Sequence, residues 1–378
     1  MQTIYNQIRT HAVTQIDTIF LGASMNLTDI RKQIDEIDEQ LIELLNQRAR
    51  FAQEVGMHKE RTRAHYFTPE REEIVYKRVQ SLNKGPLSNE AVRNIYREII
   101  SASRALEKPL KIAYLGPEGT YSHYASLLKF GGCAEYVPVD SITEIFACVE
   151  RRHADYGVVP VENSQAGVIP ETLDTFMESN MHIVSELYIP VIVNLASHCK
   201  NLNDIKLVFS HPQPKAQCKL WLRSNLPNAE IVETPSTSRA AEMAAETPDS
   251  AALCPRIAAE RSNLPILVEH TEDNPGNRTR FIVIGDNEPE KTGQDKTSLM
   301  FSLHHQSGEL YKAIGAFEKY DVNMTMIESR PARLGGWEYM FYVDIQGHIK
   351  DPQVAKAIDM LASHARFLRV LGSYPAAE

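Results

Sequence analysis

Residues 111–128 read KIAYLGPEGTYSHYASLL. This is a strand, a glycine turn and a helix in succession. Such turns cradle anions, because a helix N-terminus presents unpaired N–H groups and the positive end of its dipole. A nucleotide phosphate does not fit. A P-loop needs a lysine and a Ser/Thr after its last glycine, whereas Gly116 and Gly119 are followed by Thr120-Tyr121-Ser122, and no GxGxxG fingerprint is present. A neutral, hydroxyl-rich loop suits a carboxylate better. Taken alone, the stretch reads better as an ordinary strand-to-helix turn capped by Ser122 or Thr120.

Outward from this stretch, residues 110–286 alternate strand and helix, an α/β pattern. The chain is expected to enter one half, cross after Pro190 and return near Asn274 to Thr279, giving two lobes around a cleft. The segment "SHPQPKAQC" (210–218) supplies a second strand-to-helix turn on the other lobe.

Residues 26–107 follow a helical period only. A first helix is expected from Asn26 or Thr28 to about Arg61, with Ile30, Ile34, Ile37, Leu41, Leu44, Phe51 and Val55 on one stripe. A second starts at Thr68-Pro69 with Val75, Val79 and Leu82 as its stripe, and a third carries Ile95, Ile99 and Ala102. Three helices cannot bury these stripes alone, so pairing with a second copy is expected. Arg48 interrupts the first seam, and a buried, unpaired arginine costs several kcal/mol. One internal Arg–Glu pair would account for Arg48. Four cations (Arg31, Arg48, Lys59, Arg71) with Glu72 and Glu107 on inward or flanking positions suggest a bundle-core pocket for a small polyanion.

Residues 297–376 give β-α-β-β-α-β in eighty residues, a ferredoxin-like order, after the linker "DNEPEKTGQDK".

A net charge of −9 argues against nucleic-acid partners. Five dispersed cysteines with no CxxC fit a reducing compartment and offer no zinc site. No apolar run approaches the ~20 residues of a membrane span, and residues 1–25 do not read as a signal peptide. A cytoplasmic protein without membrane partners is expected. The first 25 residues are expected to be an extension, either an extra helix or the product of a start upstream of Met25.

Four motifs occur in order: "GPEGTYS" (116–122), "VPVENSQAG" (159–167), "SHPQPKAQC" (210–218) and "NRTRFIVI" (277–284). With the helices before and the small domain after, residues 26–376 closely resemble the bifunctional chorismate mutase–prephenate dehydratase family of phenylalanine biosynthesis. The resemblance implies a multidomain chain. It comprises an all-α three-helix mutase domain (26–108) forming an intertwined homodimer or higher homo-oligomer, a two-lobed, periplasmic-binding-protein-like α/β dehydratase domain (110–286), and a ferredoxin-like α+β ACT domain (297–376). It implies no cofactor and no metal.

Carried over by position, Arg31 (from the partner protomer) and Arg48 would bind the two carboxylates of chorismate. Lys59 would bind the ether oxygen and Glu72 the ring hydroxyl, while Arg71 and Ser103 would line the pocket. Glu107 stands where a glutamine can face the ether oxygen, so it is expected to act protonated. Thr68, where some members have aspartate, reads as a helix cap. In the cleft the resemblance makes Thr279 of "TRF" essential, as a donor to the leaving hydroxyl of prephenate, with Glu162 a candidate proton source. Thr120, Ser122, Asn163, Ser164, Gln213 and Arg280 are candidate binders of prephenate, although Asn163 and Gln213 could equally satisfy loop backbone. In the ACT-like segment "IESRP" (327–331) is a signature. The effector phenylalanine would meet Gly308, Leu310, Asn323, Glu328, Ser329 and Arg330. Glu309 adds a charge where the family often has alanine. A competing reading is a two-lobed small-molecule sensor; the cations of the helical segment and Thr279 argue against it.

Overall fold

The computed structural model describes residues 26–62, 64–331 and 339–377. Residues 1–25, read from the sequence as an extension, therefore lie outside the described residues, as do Trp337 and Glu338, where the sequence WEYMFYVDIQG (337–347) reads as a strand. The chain divides into two compact units between Glu54 and Val55.

Helix α1 (Leu27–Thr62) runs for 36 residues. Asn26 caps it, its Oδ1 accepting from Asp29 N at 3.0 Å. The predicted stripe is present and turned outward: Ile34 is 51% and Phe51 67% exposed. Helix α2 (Pro69–Leu82) starts with proline in its first turn, after Thr68 at the cap position; the Thr68 side chain makes no capping bond. Helix α3 (Asn89–Glu107) is capped by Ser88 Oγ, which accepts from Ala91 N. In α2 the packed face is Pro69, Glu72 and Tyr76 rather than the predicted Val75–Leu82 stripe, and in α3 it is Ile100, Ser101, Ser103 and Arg104. The predicted apolar faces stay open, with Leu82 64% and Ile95 48% exposed.

The two lobes follow. The first is a sheet of β1 (Lys111–Leu115), β2 (Glu135–Val139), β3 (Tyr156–Asn163), β4 (Gly167–Val168), β5 (His182–Pro190) and β11 (Arg278–Gly285). Its order is β2-β1-β3-β11-β5, with β4 on β3. Helices α4 (Tyr121–Phe130), α5 (Ile142–Glu150) and α6 (Pro170–Glu178) pack on it. The second lobe has the order β10-β6-β9-β7-β8. Its strands are β6 (Asn194–Ala196), β7 (Leu207–Ser210), β8 (Glu230–Glu233), β9 (Ser250–Cys254) and β10 (Ile266–Val268), with helices α7 (Pro212–Gln217), α8 (Lys219–Asn225), α9 (Thr237–Glu246) and α10 (Arg256–Arg261). The chain crosses after Pro190 and returns as β11, as the sequence predicted.

The C-terminal sheet, β13-β14-β12-β15, is antiparallel throughout. It is built from β12 (Asp295–Leu303), β13 (Met324–Pro331), β14 (Tyr339–Gln346) and β15 (Ala365–Pro375), with α11 (Glu309–Lys319) and α12 (Pro352–His364). Leu299, Phe301, Val343 and Ile345 face the two helices. Met300, Met340, Tyr342 and Tyr374 point the other way, into a core shared with Phe146 and Phe176 of the first lobe. Strands β15 and β5 approach so closely that a Cβ on Gly372 would lie 2.1 Å from Ile183 O. Phe67, between α1 and α2, is fully buried among Leu110, Ile112, Phe130 and Tyr156.

Candidate active sites

In the helical segment, Lys59 and Glu107 meet. Lys59 Nζ donates to Glu107 Oε2 at 2.8 Å and to Tyr66 O at 3.1 Å, and the two side chains are only 17% and 10% exposed. Gly56, one turn before Lys59 on α1, brings the helices together: a Cβ there would sit 3.0 Å from Glu107 Cα and Cβ. Glu107, expected to face the ether oxygen in its protonated form, is here the partner of Lys59. Ser103, one turn earlier on α3, is buried, and its Oγ donates to Ile99 O at 2.7 Å. Glu72 is buried too, but the Arg104 guanidinium holds it and also donates to Phe130 O at 2.7 Å. Arg104 sits with its guanidinium carbon 5.4 Å from the ring centres of both Phe67 and Phe130. This arginine was missed because its face of α3 reads as polar surface. Arg71 is exposed. Arg31 is exposed and Arg48 half-buried on the first unit.

In the first lobe Thr120 caps α4, as predicted, its Oγ1 accepting from His123 N. Ser122 is buried in the first turn. Gly119 takes a left-handed φ of +84° and lies against the second lobe, a Cβ there reaching within 2.9 Å of Ser238 Oγ. Ser238 Oγ donates to Glu118 O at 2.6 Å, and Arg261 pairs with the Glu118 carboxylate. None of Glu118, Ser238 and Arg261 stood out in the sequence, because their partners lie more than a hundred residues away. The turn on the second lobe offers less than expected. Pro212 and Pro214 carry no N–H, Gln213 N is taken by His211 Nδ1 at 3.3 Å, and the Gln213 side chain is exposed.

Thr279, Asn163 and Ser164 come together. Thr279 pairs with Asn163 across β11 and β3. Asn163 Oδ1 accepts from Gln165 N at 3.0 Å and Ala166 N at 2.9 Å, which fixes the amide so that Nδ2 donates to Thr279 Oγ1 and Asn277 Oδ1, both at 2.9 Å. Ser164 Oγ accepts from Arg278 N and donates to Asn277 Oδ1. The Asn163 amide thus fills an acceptor position of the Thr279 oxygen and leaves that hydroxyl's proton to be given elsewhere.

Two predicted cleft residues are not part of this group. Glu162 pairs with Arg280 in the next register position, and strand alternation turns both to the opposite face of the sheet from Asn163 and Thr279. Arg280 is 4% exposed and engaged with Glu186, Asp344 and Tyr374. Neither residue is placed to meet a cleft ligand.

In the C-terminal sheet the same alternation divides the predicted effector residues. Gly308, at φ +84°, caps α11, and Glu309 and Leu310 line a cavity of about 130 Å³ with Tyr339 and Phe341. Ser329 pairs with Phe341 on that face. Glu328 and Arg330 pair with Tyr342 and Met340 on the face toward the first lobe, where Arg330 binds Asp174 through two bonds of 3.2 and 3.1 Å. Asn323 is exposed, its carbonyl accepting from Gln346 N. The Lys312 ammonium, 2.8 Å from Glu309, holds that carboxyl below its usual range.

Among the described residues no helix is long and apolar enough to cross a membrane, and no cluster of His, Cys, Asp and Glu is arranged to hold a metal ion.

Three family models match in order: chorismate mutase type II over residues 30–108, prephenate dehydratase over 112–289 and the ACT domain over 297–361. The chain is 43% identical over 355 residues to the bifunctional chorismate mutase/prephenate dehydratase of Aquifex aeolicus, covering 93% of this chain and 98% of the relative. A crystal structure of a prephenate dehydratase in complex with L-Phe from Arthrobacter aurescens superposes with a TM-score of 0.64 at 36% identity, over 71% of this chain and 90% of that one. A structure described as GqqA, a novel type of quorum quenching acylase, superposes with a TM-score of 0.65 at 30% identity, over 70% and 98%.

Proposed function

This chain belongs to the bifunctional chorismate mutase/prephenate dehydratase family, and we propose the following division of labour among its residues. The enzyme rearranges chorismate to prephenate, then removes water and CO₂ from prephenate to give phenylpyruvate in phenylalanine biosynthesis. The two-lobed fold alone does not select this chemistry, since an acylase shares it. The helical segment and the hydroxyl group at Thr279 do.

The mutase step, assigned to residues 26–108, is unimolecular and needs no nucleophile. It needs the folded conformer held and charge stabilised at the breaking ether oxygen. Lys59 supplies a cation there, kept in place by Glu107 2.8 Å away. Arg48, and Arg31 from a second copy, take the carboxylates. The exposed stripe of α1, Ile34 to Phe51, is the surface that this second copy covers in a homodimer.

In the dehydratase step, assigned to residues 110–286, the ring hydroxyl leaves as water and the ring carboxylate as CO₂, with aromatisation as the driving force. Thr279 donates to the leaving oxygen, and the Thr120–Ser122 turn takes a substrate carboxylate. The observation that carries this reading is the Asn163 amide aimed at Thr279 Oγ1. The domain of residues 297–376 binds phenylalanine beside Gly308, Leu310 and Ser329 and inhibits the enzyme. A cytoplasmic location fits an enzyme of amino-acid biosynthesis.

The test is an acid-free assay: chorismate is added to the purified protein, and chorismate loss and phenylpyruvate formation are followed with and without phenylalanine. Thr279→Ala should abolish phenylpyruvate while chorismate is still consumed. Tight phenylalanine binding with no turnover of chorismate would instead support a sensor.

A further inference from the structure

Strand β11 carries two neighbouring residues with opposite outlooks. Thr279 meets Asn163 on one side of the sheet, and Arg280, one peptide further, passes to the other. There Arg280 Nε donates to Glu186 Oε2 at 2.8 Å and Nη2 to the Tyr374 hydroxyl at 3.0 Å, while Nη1 binds Asp344. Glu186 lies on β5, beside β11, but Asp344 and Tyr374 belong to β14 and β15 of the C-terminal sheet. The cluster closes on itself. Lys296 of β12 donates to both Glu186 oxygens at 2.8 Å, and Ser298 donates to Asp344 and shares a 2.6 Å bond with the Tyr374 hydroxyl. Two cations face two carboxylates, and apart from Lys296 (8% exposed) every charged member is at most 4% exposed.

A charge cluster this deep is poorly explained by stability, since well-packed apolar residues commonly hold an interface as firmly. What it adds is geometry, because a forked guanidinium accepts few arrangements of its partners. The fork spans both sheets and is one residue from Thr279. We propose that Arg280 is a positioning residue: through Asp344 and Tyr374 it ties the strand bearing Thr279 to the C-terminal sheet, so that effector binding in that sheet is delivered to the dehydratase hydroxyl. This deepens the functional reading above and rests on Thr279 being the dehydratase donor.

The test uses the full chain with three variants: Tyr374→Phe, which removes one hydroxyl, Asp344→Asn, which keeps shape and removes charge, and Arg280→Lys, which keeps charge and removes the fork. Dehydratase kcat and KM on prephenate and the phenylalanine concentration for half-inhibition are measured. Mutase turnover in the same preparation reports folding. The expected result is a lower dehydratase kcat with KM little changed, half-inhibition shifted at least about fivefold, and mutase turnover retained. If Asp344→Asn or Arg280→Lys loses mutase turnover as well, Tyr374→Phe decides. Unchanged kcat and an unchanged inhibition curve in Tyr374→Phe, with only a lower Tm, overturn the proposal, as does a wild-type chain that phenylalanine does not inhibit. Full dehydratase activity in Thr279→Ala would instead overturn the functional reading on which it rests.

Discussion

The Asn163 amide stands 2.9 Å from the Thr279 hydroxyl, joining two positions 116 residues apart in the chain. Backbone N–H groups of Gln165 and Ala166 fix which end of the amide faces the threonine. Asn163→Asp reverses the relationship: a carboxylate now asks Thr279 for its proton. We expect dehydratase kcat to fall about 10²-fold, the scale of losing one aligned donor, with mutase turnover intact, both measured on the same preparation.

Gly56 is the helical counterpart. Glycine inside a helix ordinarily costs about 1 kcal/mol relative to alanine, so a larger residue would normally be welcome. Here a Cβ lies 3.0 Å from the Glu107 backbone, and Lys59 depends on Glu107 for its position. Gly56→Val should lower mutase kcat/KM at least about tenfold, while dehydration of added prephenate stays near wild type.

His123 gives the dehydratase a pH limit. It is 6% exposed, stacks on Tyr114 at 5.0 Å and accepts from Gly119 N through Nδ1 at 3.0 Å. Burial pushes its imidazole below the ordinary 6.5. A base depressed in the folded state stabilises it fully above the unfolded value, and that stability is lost as pH falls from about 6.5 toward the folded value. The folding of this loop should therefore weaken on the acid side of about pH 6.5, and dehydratase activity should fall at more acid pH, where the native imidazole itself protonates. His123→Asn, whose side-chain oxygen can accept the same N–H, should flatten that limb of the rate profile.

The Glu118–Arg261 pair links the lobes but is 45% and 50% exposed. Exposed pairs contribute about 0–1 kcal/mol and weaken in salt. Arg261→Ala should raise the KM for prephenate less than about fivefold, and the difference from wild type should shrink at high salt. A larger effect would mean that the arginine contacts substrate.

Much of this architecture was legible in the sequence. Thr120 caps α4 where the glycine turn ends, and the crossing after Pro190 lies where alternating patterns change lobe. The errors share one physical origin. Period two says that Thr279 and Arg280 face opposite ways, but it does not say what lies on either side, so two adjacent motif residues were assigned to one ligand. Glu328 and Arg330 share the face turned to the first lobe for the same reason, and the partner of Arg330, Asp174, lies 156 residues upstream of it. In α2 the apolar stripe was read as the packed face. Glu72 and Tyr76 occupy that face instead, and Glu72 is buried only because Arg104, 32 residues on, neutralises it.

Phe67 carries a consequence for how such a chain could be taken apart. The family matches part company between residues 108 and 112, yet this ring lies before that seam and fills the core behind it, 4.8 Å from Phe130 and 5.1 Å from Tyr156. A gene trimmed to begin after the seam would encode a dehydratase with a phenyl-sized hole, a loss on the order of 3–5 kcal/mol for a buried phenylalanine. A lineage that shed its helical half would have had to refill that hole, and the residues that plug it would mark where the fusion was undone.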